Sequence, residues 1–340
     1  SWRAKPEFAA FSSFPSVSVF MESRSGMLYM GTWGGGLLCY RKGQPMRQLR
    51  PGPDAPWLTS GQVNALGEDR RGNLLIGTTD GLAVLHPDGK GEALNRFLAP
   101  LDLDGVEVFH VEPARDGSFW VSTAGYGALR LQGDLGNPST LKARPYYDQN
   151  GGLPVKSIHS VYQDRRGNLW AASLEYGLFL YDSSADRFLS ANERYGIPTD
   201  RICAIEEDNA GNLWLSTNDG IIRFALSADT KHASIRTFST SDGLQSNFYI
   251  ARTSCRHDSL LYFGYYGGFS YFDPGLIATP PASTPTRITG LSIRGIPFAD
   301  LPVGEQRRIS PKMPGYADRI VLSHRQNNFS IEFANLSYTN

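Results

Sequence analysis

Six histidines supply the side chains best suited to metal binding or proton transfer: His86, His110, His159, His232, His257 and His324. No two of them stand at a zinc-ligand spacing, and the sequence holds no G-x-S-x-G, H-E-x-x-H, G-x-x-x-x-G-K-[ST] or EF-hand pattern. His110 and His159 both fall near predicted strands which, if the strands of this chain form a closed ring, would line its central channel. We expect ordinary half-buried, hydrogen-bonded histidines there, with metal ligation as the alternative. The sequence therefore predicts no catalytic residue, no metal and no cofactor.

Carboxylates and cysteines offer no stronger chemistry. Glu206 and Glu207 form a candidate acid pair, but side chains alternate along a strand, so the two should point to opposite faces. Cys39, Cys203 and Cys255 are too widely spaced for a C-x-x-C metal or redox motif. We expect three small buried side chains, with one long-range disulfide as the alternative.

A repeated segment dominates the sequence instead. Three strong copies read DRRGNLLIGTTDG (69–81), DRRGNLWAASLEYG (164–177) and DNAGNLWLSTNDG (208–220). Weaker copies occupy 23–36, 114–127 and 257–268. Successive copies are 44 to 50 residues apart, which matches the period of four-stranded propeller blades, about 40 to 50 residues. The shared turn position is held by Gly26, Gly72, Gly117, Gly167, Gly211 and Ser259.

Each copy is interpreted as four strands, a to d. Residues 63–67 and 202–206 are typical of strand a, 168–173 of strand b and 187–190 of strand d. Between a and b, the Asp of D-x-x-G accepts bonds from turn amides and the Gly supplies a positive φ. We expect no helix longer than a turn or two. A large residue recurs three positions after the turn and should fill the space between blades: Tyr29, Leu75, Trp120, Trp170, Trp214 and Tyr262.

The pattern D-x-x-G-N-L-W-x-x-[ST]-x-x-G-[IL] resembles the two-component regulator propeller repeat, over about residues 8–273. Residues 286–296 and 319–338, above all NNFSIEFANLSY, resemble the opening of the tyrosine-rich Y_Y_Y β-sandwich module that follows such propellers. The resemblance implies the extracytoplasmic sensor region of a bacterial hybrid two-component or related signalling receptor. It also implies a saccharide fragment as the cue.

The predicted fold class is all-β. We expect a β-propeller of four-stranded antiparallel blades over 1–277, a Pro-rich linker over 278–285 and the N-terminal part of an Ig-like sandwich over 286–340. Six repeats are counted, whereas propellers of the resembled family typically have seven blades. Either residues 7–12 complete the last blade of a six-bladed ring, or a blade is missing or irregular. The sandwich segment, 286–340, is shorter than a complete two-sheet sandwich, which has about 100 residues. This indicates an excised or truncated piece.

One end of the predicted propeller carries aromatic residues at turns whose geometry does not require them. In such blades the b–c turns and the d–a loops lie on the same side. Aromatic rings there can stack on sugars while carboxylates and amides bind hydroxyls. Turn chemistry alone explains Asp and Asn but not Tyr or Trp. The candidate ligand-binding residues are Trp33, Asp80, Tyr126, Glu175, Tyr176, Arg201, Asp219, Asn247, Tyr265 and Tyr266.

Charge and composition narrow the function further. Lys and Arg total 33 against 33 Asp and Glu, so no broad basic field favours nucleic acid. No apolar run approaches the ~20 residues of a membrane span, so membrane attachment would come only through regions outside this chain. We expect a non-enzymatic periplasmic part of an inner-membrane receptor. It would bind a small polar ligand such as a glycan by shape and hydroxyl pattern, as a homodimer.

Two other functions remain open at this point. One is a propeller lyase or hydrolase, which would require three or more titratable groups with shifted pKa values converging in the central channel. The other is a protein-interaction scaffold, which a flat hydrophobic patch would favour.

Overall fold

The fold is described from a computed structural model that covers residues 16–99, 101–147, 151–277 and 286–335. The chain divides into two compact units, Ser1–Pro274 and Gly275–Asn340. The segment 7–12, expected to complete the last blade, and the expected linker at 278–285 both lie outside the described residues. Both assignments therefore stay predictions.

The first unit contains six antiparallel sheets among its described residues, numbered here blades I to VI. Strands pair in sequence order within each sheet, which confirms the all-β propeller prediction. The bounds are β1 Val17–Glu22, β2 Leu28–Thr32, β3 Leu37–Tyr40, β4 Arg47–Leu49 (blade I); β5 Val63–Glu68, β6 Leu74–Thr78, β7 Gly81–Leu85, β8 Gly91–Ala93 (II); β9 Val108–Pro113, β10 Phe119–Thr123, β11 Ala128–Asp134, β12 Asn137–Tyr146 (III); β13 Ser160–Gln163, β14 Leu169–Ala172, β15 Leu178–Asp182, β16 Arg187–Ser190 (IV); β17 Ile202–Glu207, β18 Leu213–Thr217, β19 Ile221–Leu226, β20 Ala233–Phe238 (V); and β21 Tyr249–His257, β22 Leu260–Tyr265, β23 Gly268–Phe272 (VI).

The first strands of neighbouring blades face one another. Strand β1 contacts β5, β5 contacts β9, and the series continues through β13, β17 and β21. These six strands therefore line a common channel, to which each contributes alternate side chains. The short helix α1 (Ala191–Tyr195) follows blade IV and is the kind of one-turn helix that the sequence predicts.

The Asp of the repeat organises each strong a–b turn. Oδ1 of Asp164 accepts the amides of Arg166 (3.0 Å) and Asn168 (2.8 Å). Its Oδ2 accepts Nδ2 of Asn168 (2.8 Å) and the indole Nε1 of Trp170 (3.0 Å). Asp208 makes the same four bonds in blade V. The motif D-x-x-G-N-L-W is thus one hydrogen-bonded unit, in which Asp, Asn and Trp each have a separate role.

Two glycine positions recur for different reasons. The a–b turn glycines have φ between +76° and +91°, but a Cβ on Gly26 or Gly117 would meet open space, so backbone conformation alone selects glycine there. At the b–c turn of blade V, Gly220 has φ +93°, and a Cβ would also overlap the Phe238 carbonyl oxygen. Its amide donates to the Asn247 carbonyl at 2.7 Å. That bond ties the b–c turn of one blade to the d–a loop before the next.

The recurring large side chains pack between blades, as predicted. Trp170 is fully buried and lies edge-on to Phe224 of the next blade, with centroids 5.6 Å apart. Trp214 packs on Phe272 of blade VI at 4.9 Å. Trp120 and Leu75 are likewise buried, whereas Tyr29 and Tyr262 are only half-buried. The core prediction therefore holds most strongly in blades II to V.

The three cysteines are all free. Cys39 and Cys203 are buried as expected, and burial raises the pKa of the Cys39 thiol to about 11. The expectation is wrong for Cys255, which is exposed because it lies near the solvent-facing end of β21.

The second unit contains a three-stranded antiparallel sheet and short helices. Its strands are β24 (Thr286–Ile293), β25 (Ile296–Pro297) and β26 (Phe329–Asn335), in the order β25–β24–β26, and helix α2 spans Val303–Ile309. The two segments that resemble the sandwich module thus pair with each other. The identity of the module as Y_Y_Y stays a prediction. The buried core consists of Leu291, Ile293, Phe298, Leu301 and Ile309.

The helices that can be described are short. None in the described ranges combines the length and apolar character needed to cross a membrane.

Candidate functional site

All ten predicted ligand-binding residues lie at one end of the first unit, called the turn face: the end formed by the b–c turns and d–a loops of blades I to VI. Hydrogen bonds such as Gly177 N to Asp200 O (2.7 Å) and Gly125 N to Lys156 O (2.7 Å) join these two kinds of segment. Within the described residues, no hydrogen bond, ion pair or ring contact joins two of the ten. The turn face therefore presents them side by side from successive blades.

Four of the ten are engaged in holding the turn face together. Oδ1 of Asp80 accepts the amide of Gly105. The Tyr126 hydroxyl accepts the amide of Asp102 at 3.2 Å. Asn247 Oδ1 accepts the amide of Thr240 at 2.8 Å. Tyr265 lies edge-on to Tyr249 at 6.3 Å. These side chains have a structural reason to be polar or aromatic.

The other six have exposed side chains. Trp33 is 59% exposed, Tyr176 45% and Tyr266 89%. Arg201, Glu175 and Asp219 are exposed as well. Packing does not explain three large aromatic rings in contact with water, so these rings are the part of the turn face most available to a ligand.

A second group of residues lies inside the channel, near the turn face. Arg252 of β21 reaches from blade VI to blade III, where its Nη1 donates to the Phe109 carbonyl at 2.9 Å and its guanidinium lies 5.2 Å from the Phe109 ring. His159, just before β13, stacks on Phe109, with its ring 4.7 Å from the Phe109 ring and nearly parallel to it. His110 follows Phe109 in β9. We call Phe109, His110, His159 and Arg252 the channel cluster.

The channel cluster is electrostatically unusual. Burial lowers the pKa of His110 to about 4, and the positive charge of Arg252 lowers it further. Burial, Arg252 and Arg201 together lower the pKa of His159 to about 4. Both rings are therefore neutral at pH 7. Nδ1 of each histidine and Nε of Arg252 are buried with no hydrogen-bond partner within the described structure. His110 is nevertheless hydrogen-bonded, as expected, because its ring bonds to the backbone of Val161.

Two buried carboxylates belong to the same inner strands, Glu112 to β9 and Glu206 to β17. Glu112 stands two residues after His110 in β9 and accepts the amide of Gln163 at 3.1 Å. Burial raises its pKa to about 7, and Glu206 of β17 adds to the increase. Burial likewise raises the pKa of Glu206 to about 7. Glu207, by contrast, is buried between blades and accepts the amide of Arg165 at 2.9 Å. The predicted opposite orientation of Glu206 and Glu207 is confirmed.

The sequence reasoning missed Arg252. The 48-residue step from Gly211 to Ser259 lies within the range of the other steps and carries no signal. The irregularity is visible only in the structure, where β21 has nine residues and the first strands of the other blades have four to six. Glu112 was also missed, since a single Glu in a strand carries no motif. In the described chain, no group of three or more His, Cys, Asp or Glu side chains is arranged to hold a metal ion.

A separate cleft of about 530 Å³ lies at the outer edge between blades I and II. Its lining includes Tyr29, Cys39, Arg41, Arg47 and His86. None of the ten predicted residues lines it, so the cleft is independent of the turn face.

Comparison with known proteins supports the sequence interpretation. The family model described as two component regulator propeller matches residues 152–175 and 196–219. These segments include the turn of blade IV and the strand-a and turn region of blade V. The chain carries two-component regulator propeller repeats.

Longer similarities extend beyond these repeats. Histidine kinase P4 of Formosa agariphila is 23% identical over 332 residues, which cover 96% of this chain and 20% of the kinase. The chain thus spans about a fifth of the length of that curated relative.

Solved structures also resemble the chain. One is the extracellular domain of a protein described as a hybrid two-component system, BT3049 of B. thetaiotaomicron, with a TM-score of 0.56, 20% identity and coverage of 94% of this chain and 46% of that one. Another is virginiamycin B lyase of Staphylococcus aureus, with a TM-score of 0.53, 14% identity and coverage of 74% and 78%. At such identities these structures support the propeller fold alone.

Proposed function

We propose that this propeller-repeat chain is the extracytoplasmic sensing region of a bacterial two-component receptor and is not itself an enzyme. In this proposal the turn face binds a polar ligand such as an oligosaccharide. The second unit relays binding toward a cytoplasmic kinase or cyclase, in a homodimer anchored in the inner membrane by other regions. The family repeat supports the sensor role. The exposed rings of Trp33, Tyr176 and Tyr266 support the ligand class.

The observation that carries the ligand assignment is the exposure of these three rings. An aromatic ring offers a flat apolar surface to the C–H face of a sugar, while nearby carboxylates such as Glu175 and Asp219 can accept hydroxyl hydrogens. Tight turns are built equally well from Asn, Asp and Gly. Aromatic residues at several turns of one face therefore indicate contact with something outside the blade.

A thermal-shift screen against neutral and acidic oligosaccharides tests the proposal. A ligand that binds the native state raises its melting temperature by mass action. Tyr176→Ala and Tyr266→Ala should reduce that shift without changing the unliganded melting temperature, since both rings are exposed. Tyr316→Ala is the matched control, because Tyr316 is 80% exposed in the second unit. A shift that survives in both turn-face variants would place the ligand elsewhere.

One observation favours a second candidate, a channel enzyme. His110, His159, Glu112 and Glu206 all have shifted pKa values and all belong to the inner strands or the residue just before one. General acid–base chemistry uses such groups. Incubation of the chain with oligosaccharides, followed by product analysis by mass spectrometry, would distinguish the two: a receptor returns the saccharide intact, and a lyase or hydrolase does not.

A further inference from the structure

The placement of Arg252 results from an irregular strand. Tyr249 pairs with Tyr265 and Ser254 pairs with Phe263, so five steps along β21 oppose two along β22. The extra residues form a bulge, in which Arg252 adopts φ +60°. Left-handed backbone is rare for arginine, and such positions cost about 1–3 kcal/mol each and cluster at functional sites. Bulges of this kind re-aim side chains, and this one sends Arg252 across the channel.

The bulge is held in place by its own neighbours. Oγ1 of Thr253 donates to the carbonyl of Ile250 at 2.6 Å and lies 3.2 Å from the carbonyl of Gly264. A Cβ on Gly264 would come within 2.9 Å of Thr253. The irregular conformation is therefore a packed and hydrogen-bonded feature, and Arg252 is presented from a fixed backbone.

The guanidinium of Arg252 lacks a balancing charge. No carboxylate among the described residues lies within ion-pair distance of it. The acid that influences it, Glu107, accepts Nδ2 of Asn64 at 3.0 Å. Arg201, near His159, adds a second positive charge to the surroundings. Buried charges in proteins are normally paired, so a half-buried arginine with a free Nε indicates a place for an anion.

We propose that the channel cluster is an anion site, in which Arg252 binds the carboxylate of an acidic saccharide and His110 and His159 supply further hydrogen bonds. The proposal rests on the sensing function above and specifies the chemistry of its ligand. A guanidinium matches the two oxygens of a carboxylate in a planar fork. The neutral His159 ring carries one N–H donor that a carboxylate or a hydroxyl oxygen can accept. His110 already donates its N–H to the Val161 backbone, so its Nδ1 can only accept a hydroxyl hydrogen. The stacked rings of Phe109 and His159 form one flat side of the site.

Calorimetric titration with matched saccharides tests the site. The probes are oligomers of galacturonate and of glucuronate, and the same oligomers after reduction of their carboxyl groups to primary alcohols. At pH 7 and low salt, we expect an acidic oligomer to bind the wild-type chain and its reduced form to bind at least tenfold more weakly. Arg252→Gln should weaken binding of the acidic form at least tenfold, and Arg252→Lys should do so less. Arg70→Gln is the charge-matched control, since Arg70 is exposed in the a–b turn of blade II.

Two further readouts separate a binding role from a structural one. The Hε1 resonances of His110 and His159 should shift on addition of the acidic oligomer in the wild type but not in Arg252→Gln. Without saccharide, Arg252→Gln should change the urea midpoint little, because it removes an unpaired, half-buried cation as well as the bond of that cation to the Phe109 carbonyl. A lowered midpoint would make Arg252 a structural residue and overturn the proposal.

The remaining outcomes are also decisive. Equal binding by wild type and Arg252→Gln would overturn the anion site. If neutral oligomers bind in a way that depends on Tyr266 but not on Arg252, the sensing function stands and the channel site fails. Binding of acetate or inorganic phosphate through Arg252, without any acidic saccharide, would overturn the assignment to a saccharide.

Discussion

The aspartate of the repeat provides a stability test with an internal control. Asp164 in blade IV and Asp69 in blade II accept the same two backbone amides and the same Asn side chain. Asp164 also accepts the buried indole N–H of Trp170 at 3.0 Å. Blade II has Leu75 at that position, so Asp69 has no such partner. The two sites differ by one hydrogen bond.

That difference sets the magnitude. A hydrogen bond to a charged group contributes about 1.5–3 kcal/mol, and a buried donor left without a partner costs about 1–3 kcal/mol. Asp164→Ala should therefore destabilise the chain by about 1–3 kcal/mol more than Asp69→Ala. In a Trp170→Phe background, where no indole N–H remains, the extra cost should disappear. The comparison is made from urea unfolding midpoints at pH 7, with unfolding monitored by tryptophan fluorescence. Equal losses for Asp69→Ala and Asp164→Ala would refute the assigned role of the indole.

Three other features of the structure can be tested by similar measurements. The pKa of about 7 for Glu112 and Glu206 lies above the unfolded value of 4.5, so the folded chain retains protons that the unfolded chain has lost, and their contribution to stability falls as pH rises to 7. Between pH 6.5 and 8 the urea midpoint of the wild type should fall relative to that of a variant in which both residues are Gln. The comparison with the variant removes the opposite contribution of His110 and His159, whose pKa of 6.5 in the unfolded chain lies at the edge of this range. Gly220→Ala should lower the melting temperature more than Gly117→Ala, because both have positive φ but only Gly220 also meets a carbonyl oxygen. A thiol reagent at pH 9 should label Cys255 before the two buried cysteines, and mass spectrometry of the peptides would show the order.

The blade architecture was predictable because its determinants are local. Strand d of blade IV was expected at 187–190, and β16 spans Arg187–Ser190. Strand b was expected at 168–173 and is shorter, Leu169–Ala172, because Asn168 belongs to the Asp164 turn. Turn glycines, the Asp acceptor and the interblade Trp all act within one repeat or on the next. Their repetition therefore reveals them.

The turn-face residues were only partly predictable. Their position at one end of the blades follows from the strand order, but their roles do not. Asp80 and Asn247 accept amides of loops 25 and 7 residues away, and no local pattern separates such a framework residue from an exposed one such as Glu175. Tyr176 and Tyr266 stay the strongest candidates, because nothing in the blade requires their rings.

The channel cluster was beyond local reasoning for a different reason. Arg252 and Phe109 are 143 residues apart in the sequence. They come together only because the arrangement of the blades places β21 across the channel from β9. The bulge that directs Arg252 departs from the repeat, so averaging over the six copies removes the signal. Departures from a repeat are where function is expected, because the repeated part already satisfies the fold.

The balance of charges also has a different meaning in three dimensions. A net charge of zero, with 33 basic and 33 acidic residues, favoured a ligand bound by shape and hydroxyl pattern. Net charge governs the field far from the protein, where salt screens it over about 8 Å at physiological ionic strength. Binding inside a channel depends on the few charges that have lost their water. There the acid that acts on Arg252 is Glu107, which already has a partner in Asn64. A chain with no net charge can therefore select an acidic ligand when one cation inside the channel, here Arg252, has no carboxylate partner.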